Sequence, residues 1–403
     1  MDSKTPQISP ALETLPFEIR RHILSMVEID SLKTLVQASP VYFHHYQLEC
    51  KLLLCQSLES TLGSVTADAY AVHKSTSMEC SKGRDSKGID DFLTSYHKMR
   101  SQAWSSPLHN ILIMEEVETM VRFHCSIVQP LMRCFVREVL TNLTEKTNGS
   151  QIEETLSTTE ETRLMRGFYR FQLCCNIYGL ESAESIPYVR WISISQHILG
   201  DFLGIFDPWE AEEISCISYF CEEKCEQIFN QIKQGLDEEN SGIDRLDITS
   251  PSKLTRYRGL ELLHLVYPIK DQDQLVVTRQ LPPPMRPGGV LSDPHSVFEQ
   301  HLQWHRHCVH PGERDHRQER REPLTFQGDR KPDGSCALLP PLAWTIIWGG
   351  SYSNLFGEYI PDALCEWGWV MWDADRLERM GALGVMIQEW EEEHQSDPRK
   401  DYW

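Results

Sequence analysis

The chain has 403 residues, 40% of them hydrophobic, with 39 Lys+Arg against 59 Asp+Glu and a formal net charge of −20. That apolar share supports a packed core and excludes a disordered chain, and the length suits two or three domain-sized units. The acid excess argues against nucleic acid as a partner, because phosphate contact needs a basic face, and no apolar run approaches the roughly 20 residues of a membrane helix, so no membrane partner is expected.

Residues 1–10 are polar, contain Pro6 and Pro10, and are expected to form a disordered tail. The opening stretch has no apolar signal core, so secretion is not expected, and the thirteen cysteines read as reduced, mostly buried thiols. Cytoplasm or nucleus is the expected location. From Leu15 to about Gly63 the spacing predicts three short helices. The first runs from Pro16 to about Val27, with proline at a favoured early position. The second is capped by Asp30 and ends near Ala38; the third is opened by Ser39-Pro40 and stopped by Gly63.

Between roughly 64 and 106 the chain reads as polar and irregular, with Ser81 to Gly88 a flexible loop. A long helical pattern spans about 108–141, interrupted at Pro130. Thr144 to Thr155 is a polar connector. Thr158-x-x-Glu161 has the capping-box form and opens a helix ending near Gly179. Asp207-Pro208-Trp209-Glu210 opens another, to about Gly235, and Ser250-Pro251 a further one, to about Tyr267. Prolines, glycines and charges punctuate 281–335, which reads as a surface insertion around a short helix begun by Asp293-Pro294. Residues 336–403 hold seven of the eleven tryptophans, a density that suits a packed core closing the domain. No segment sustains period-2 alternation, so the expected fold class is mainly α. Its parts are a three-helix N-terminal unit (11–63), an irregular helical body (64–280), the long insertion (281–335) and a Trp-rich C-terminal part of the body (336–403).

On a helical wheel Ile19, Ile23, Met26 and Val27 form one stripe of the first helix, and Phe17 and Leu24 widen it to about half the circumference, against roughly 100° for an ordinary surface helix. The second helix adds Leu32, Leu35 and Val36. A unit of this size cannot hide so much apolar surface alone. The excess needs cover, either from the rest of the chain or from another protein.

These residues carry a resemblance. Leu15-Pro16-Phe17-Glu18-Ile19, the Ile23-Leu24 pair, Leu32-x-x-Leu35-Val36 and Ala38-Ser39-Pro40 resemble an F-box over about 45 residues. The tryptophan usual in the third F-box helix is replaced by Val41-Tyr42-Phe43. Fungal F-box proteins often show this variant, and Arg163 to Phe171 and Trp367 to Asp373 are similar to later stretches of that fungal group. The resemblance implies docking to the adaptor Skp1, and through it to a cullin–RING ubiquitin ligase, with the remaining chain holding an unknown protein substrate. Leu15, Pro16, Ile19, Ile23, Leu24, Leu32 and Leu35 would then face the adaptor or support that face. The alternative is a helical interaction scaffold whose F-box acts outside a ligase.

Other chemistry is less legible. No phosphate loop, GxGxxG, HExxH or GxSxG occurs, so no catalytic residue, cofactor or enzyme activity is expected. His295, His301, His305, His307, His310 and His316 cluster with Cys308, but their spacing fits no paired zinc pattern, and no metal site is assigned. Cys174, Cys175, Cys216, Cys221 and Cys225 read as packing thiols rather than redox groups. A substrate pocket is sought first among Tyr352, Phe356, Trp367, Trp369 and Trp372. The last three cannot share one side of a single helix, so some should be exposed or line a cleft.

Overall fold

A computed structural model describes residues 11–77, 86–101, 106–147, 155–178, 198–239, 259–264, 311–329, 335–357 and 359–402. Among these the fold is all-α, and the only β-type contact is an isolated bridge between Pro323 and Ser351. The expected tail at 1–10, the Asp293-Pro294 helix and the histidine cluster apart from His316 lie outside the described residues.

The N-terminal unit contains α1 (Phe17–Met26), α2 (Ile29–Ala38) and α3 (Pro40–Leu48). Ser39 caps α3, its hydroxyl accepting from the Tyr42 amide at 3.3 Å, and Pro40 fills the first helical position, where no N–H is needed. The expected third helix is in fact two. Glu49 leaves helical geometry, and α4 (Cys50–Leu62) continues to Gly63, which stops it at φ 52°. Asp30 lies in the first turn of α2 rather than at its cap, and the Ile29 amide donates instead to Thr61 Oγ1 at 3.0 Å. Helix α4 packs on α1, α2 and α3 and also meets α7 (Leu108–Ile111) and α8 (Met114–Phe123).

The stretch expected to be irregular holds two helices, α5 (Thr66–Ser77) and α6 (Ser86–Ser101). The buried face of α5 is built from Ala67, Ala71 and Val72, small residues that favour a helix while giving little hydrophobic signal. Leu93 and Tyr96 bury the inner face of α6, and Ser86 to Gly88 belong to this helix, not to a loop. A π-turn over His124–Val128 joins α8 to α9 (Gln129–Thr147). Pro130 has no N–H to offer the carbonyl four residues back, and the ladder widens one turn ahead of it.

The axis of the body is α10 (Thr158–Tyr178), flanked by α5 and by α11 (Pro208–Glu239). Its cap is Ser157, one residue before the expected one: Glu160 Oε2 accepts from the Ser157 amide at 3.0 Å, and Ser157 Oγ from the Glu160 amide at 3.1 Å. Residues 163–175 are buried without exception. Close approach to α11 requires Gly167, where a Cβ would meet Ile217 at 3.0 Å and the Glu213 carbonyl at 3.1 Å. A helix buried all round must have its charges paired. Arg163 bonds Asp329 at 2.7 Å and Asp373 at 3.0 Å; Arg166 bonds Glu213 at 2.5 Å and Glu210 at 3.1 Å; Arg170 reaches Asp68 and Glu210, each at 3.0 Å.

Helices α12 (Glu313–Glu319), α13 (Leu342–Ile347), α14 (Asp362–Cys365), α15 (Ala374–Arg379) and α16 (Ala382–Glu393) follow. Of the expected insertion, residues 311–329 are described; most are exposed or half-buried, and three tie the segment to the body. Asp315, Gln318 and Asp329 are buried, and Asn354 joins the first two, donating to Asp315 Oδ1 and Gln318 Oε1 at 2.7 Å each. Cys174, Cys175, Cys216, Cys221 and Cys225 are buried among apolar side chains. Burial holds the Cys221 thiol well above its ordinary range.

Candidate docking face

Helix α1 carries two apolar directions and its own chain covers one. Leu24 is fully buried against the unit's interior. About 140° around the helix, at 100° per residue, the stripe through Ile19 and Met26 faces outward. Ile19 is 47% exposed and Met26 64%. Phe17, Phe43 and Leu48 add exposed apolar surface from α1 and α3, and Leu12 precedes them. These six are more than half of the ten large exposed hydrophobic side chains among the described residues.

The seven residues predicted for this face divide into layers. Pro16 and Ile19 are exposed; Leu15, Ile23 and Leu35 are half-buried. Leu24 and Leu32 are buried, which removes them from direct contact with a partner and leaves them as the inner layer on which α1 and α2 rest. Met26 was legible as a member of the Ile19 stripe. Phe43 and Leu48 were not, because α3 shows little amphipathic periodicity: Tyr42 and His45 turn inward, Phe43 and Leu48 outward. Tyr42 donates its hydroxyl to the Leu12 carbonyl at 3.2 Å, and Ser39 Oγ donates to Glu13 Oε1 at 2.5 Å, so the turn before α1 is tied to α3.

Between α1 and α3 lies a cleft of about 290 Å³, lined by Phe17, Arg20, Pro40, Val41, His44, His45 and Leu48. At its floor the His45 ring stacks against Phe17, centroids 3.9 Å apart and planes 15° from parallel. His45 is 2% exposed, and neither ring nitrogen has a hydrogen-bond partner. Burial lowers its pKa, and the nearby Arg20 adds to the effect.

The C-terminal aromatics lie elsewhere and are sealed. Tyr352, Phe356, Trp367, Trp369 and Trp372 are buried side chains of the core, which corrects the expectation that some of the tryptophans line an accessible pocket. The reason is local. Residues 366–373 form a chain of turns, not a helix, and Gly368 at φ 62° lets successive indoles turn inward; a Cβ there would sit 3.1 Å from the Phe135 ring. Trp372 Nε1 donates to the Trp367 carbonyl at 2.7 Å, and Trp367 Nε1 to Glu389 Oε2 at 3.0 Å. A second cleft, of about 270 Å³, opens between α5, α8 and α10 beside Val72, Met120, Phe123 and Tyr169. None of the five predicted aromatics lines either cleft. Among the described residues no group of three or more His, Cys, Asp or Glu could hold a metal ion, and no helix is long and apolar enough to cross a membrane. Searches against family models, curated proteins and solved structures find no match to this chain.

Proposed function

We propose that α1 to α3 form an F-box-like module that docks Skp1, and that the chain acts as the substrate receptor of a Skp1–cullin–F-box ubiquitin ligase. The observation that carries this reading is the outward apolar stripe of α1, with Ile19 and Met26 uncovered while Leu24 on the same helix is packed away. Burial of such a stripe in a partner's groove is favourable by roughly 25 cal/mol per Å², before the cost of docking. The receptor performs no bond chemistry; it raises the concentration of substrate lysines near the loaded enzyme. Co-purification of the full chain with Skp1 tests the reading. Skp1 and a cullin are expected with the wild type, and neither with Ile19→Asp. Skp1 recovered without a cullin favours the scaffold alternative; Skp1 retained by the variant removes this face from consideration.

A further inference from the structure

The α1/α3 cleft holds a polar group with nothing to bond to. A buried imidazole ordinarily has a partner for at least one nitrogen, because desolvation without compensation is costly. His45 has none, and it lines the floor of an open cleft. The charged and titratable groups acting on it come from α1, from α3 and from the residue that follows α3. From α1 come Arg20, whose Nη1 donates to the Glu13 carbonyl at 2.7 Å, and Arg21. From α3 comes His44, and beyond its end Glu49, already engaged by Arg21 at 2.6 Å. The cleft is therefore lined by one arginine and two histidines with no carboxylate, on a chain whose net charge is −20.

We infer that the protein covering this cleft brings an apolar side chain over Phe17 and a carboxylate towards which the His45 ring, its nitrogens covered in the free protein, turns to donate a hydrogen bond, so that docking takes up a proton at this histidine. The inference rests on the docking reading above and adds the partner's chemistry and its regulation. Electrostatic complementarity chooses the occupant: Arg20 and His44 favour an acidic flank and oppose a basic one. The sign follows from linkage. Free His45 is held neutral by burial and by Arg20. A docked carboxylate favours the imidazolium, so the bound pKa lies above the free one. Affinity then rises as pH falls through the bound-state value, and levels off once the free protein is protonated as well.

The test uses the purified full chain and purified Skp1, with affinity measured by calorimetry from pH 8 to pH 6 in buffers of differing ionisation enthalpy. A separation of one pKa unit between bound and free protein gives a tightening that approaches tenfold only below the free value, so over this range about a few-fold gain is expected, with proton uptake on binding. His45→Gln keeps an N–H donor without titrating; it is expected to bind and to flatten the profile, while His44→Gln leaves the profile sloped. The His45 ring signal, followed by NMR in the wild type, should titrate at higher pH in the complex than alone, which needs no variant to fold. A complex whose affinity is flat with pH, a slope that survives His45→Gln, or an unshifted His45 signal overturns this inference and leaves docking intact. No complex at any pH overturns the docking reading, and this inference with it.

Discussion

Two regions crowded with large apolar side chains, residues 12–48 and 342–377, dispose of them in opposite ways. In the second, Trp344, Trp348, Trp367, Trp369 and Trp372 are fully buried, and no large hydrophobic side chain of that stretch is exposed. In the first, six large apolar side chains face outward. The difference lies in coverage rather than in composition. The tryptophan turns sit among α9, α10, α11 and α16, and their indoles have protein on all sides. Helices α1 to α3 pack on one another and on α4, and the six exposed side chains lie outside these contacts. Surface that the chain leaves open is where a partner has something to gain; surface it has closed serves stability.

The contrast breaks first if the sealed region proves soft. Trp372→Ala should lower unfolding free energy by about 3–5 kcal/mol, the usual cost of a large aromatic core truncation. It removes a fully buried indole, its bond to the Trp367 carbonyl and the ring beneath the Arg376 guanidinium, 5.4 Å from the centroid. Urea denaturation measures it. A loss below about 1 kcal/mol would mean that the tryptophans are loosely held and the substrate-pocket reading deserves revival.

Titration sharpens the picture of the sealed body. Burial lowers the His124 pKa to about 4 from 6.5, and burial raises the Asp373 carboxyl to about 6 from 3.8, with Arg163 opposing. For the histidine the unfolded chain binds the extra proton between those values, so stability is lost as pH falls from 6.5 towards 4. For the carboxyl the folded chain holds the extra proton, so stability is lost as pH rises from 3.8 towards 6. Each effect amounts to about 3 kcal/mol at 1.4 kcal/mol per unit, and in the wild type they oppose one another across one window. Asp373→Asn should therefore gain stability relative to wild type as pH rises from 4 to 6.5, and His124→Gln should lose it. Denaturation midpoints that keep a constant offset from wild type across that range would show that neither group titrates as described.

How much of this was legible follows from what periodicity can report. The Ser39-Pro40 start, the Gly63 stop and the doubled apolar face of α1 are local signals, and each is found in the structure. Periodicity marks a face as apolar without saying what covers it, which is why Leu24 and Ile19 looked alike in the sequence and ended at opposite extremes of burial. Helix α5 escaped because alanines make its inner face. The tethers of residues 311–329 to the body could not be read because their partners are remote: Asp315 meets Asn354, and Asp329 meets Arg163. His45 could not be singled out at all, since an unpartnered nitrogen is a property of its surroundings.

Backbone conformation gives a smaller test of the sealed side. Gly368→Ala places a Cβ at φ 62° against Phe135, and should cost about 1–3 kcal/mol through strain and displacement of that ring. Gly381 has nearly the same φ, 68°, with nothing within 4 Å of an added Cβ, so Gly381→Ala isolates the backbone cost alone. Thermal denaturation of the two variants should place Gly368→Ala lower; equal midpoints would show that the Phe135 contact yields freely and that the indole turns are not tightly packed.

The smallest stability effect is expected where the functional effect is greatest. Ile19→Asp changes a side chain that is 47% exposed on the outward stripe, so unfolding free energy should move by no more than about 0.5 kcal/mol. A charge at the centre of an apolar contact is left desolvated and unpaired in the complex, which should abolish Skp1 retention. Leu24→Asp is the matched control: the same chemistry on the same helix, placed in the interior, should unfold the N-terminal unit. Circular dichroism and Skp1 retention, read on both variants, separate a face from a core. Should Ile19→Asp destabilise the chain as much as Leu24→Asp, the stripe is already covered in the free protein, and the division between an open N-terminal face and a closed body does not hold.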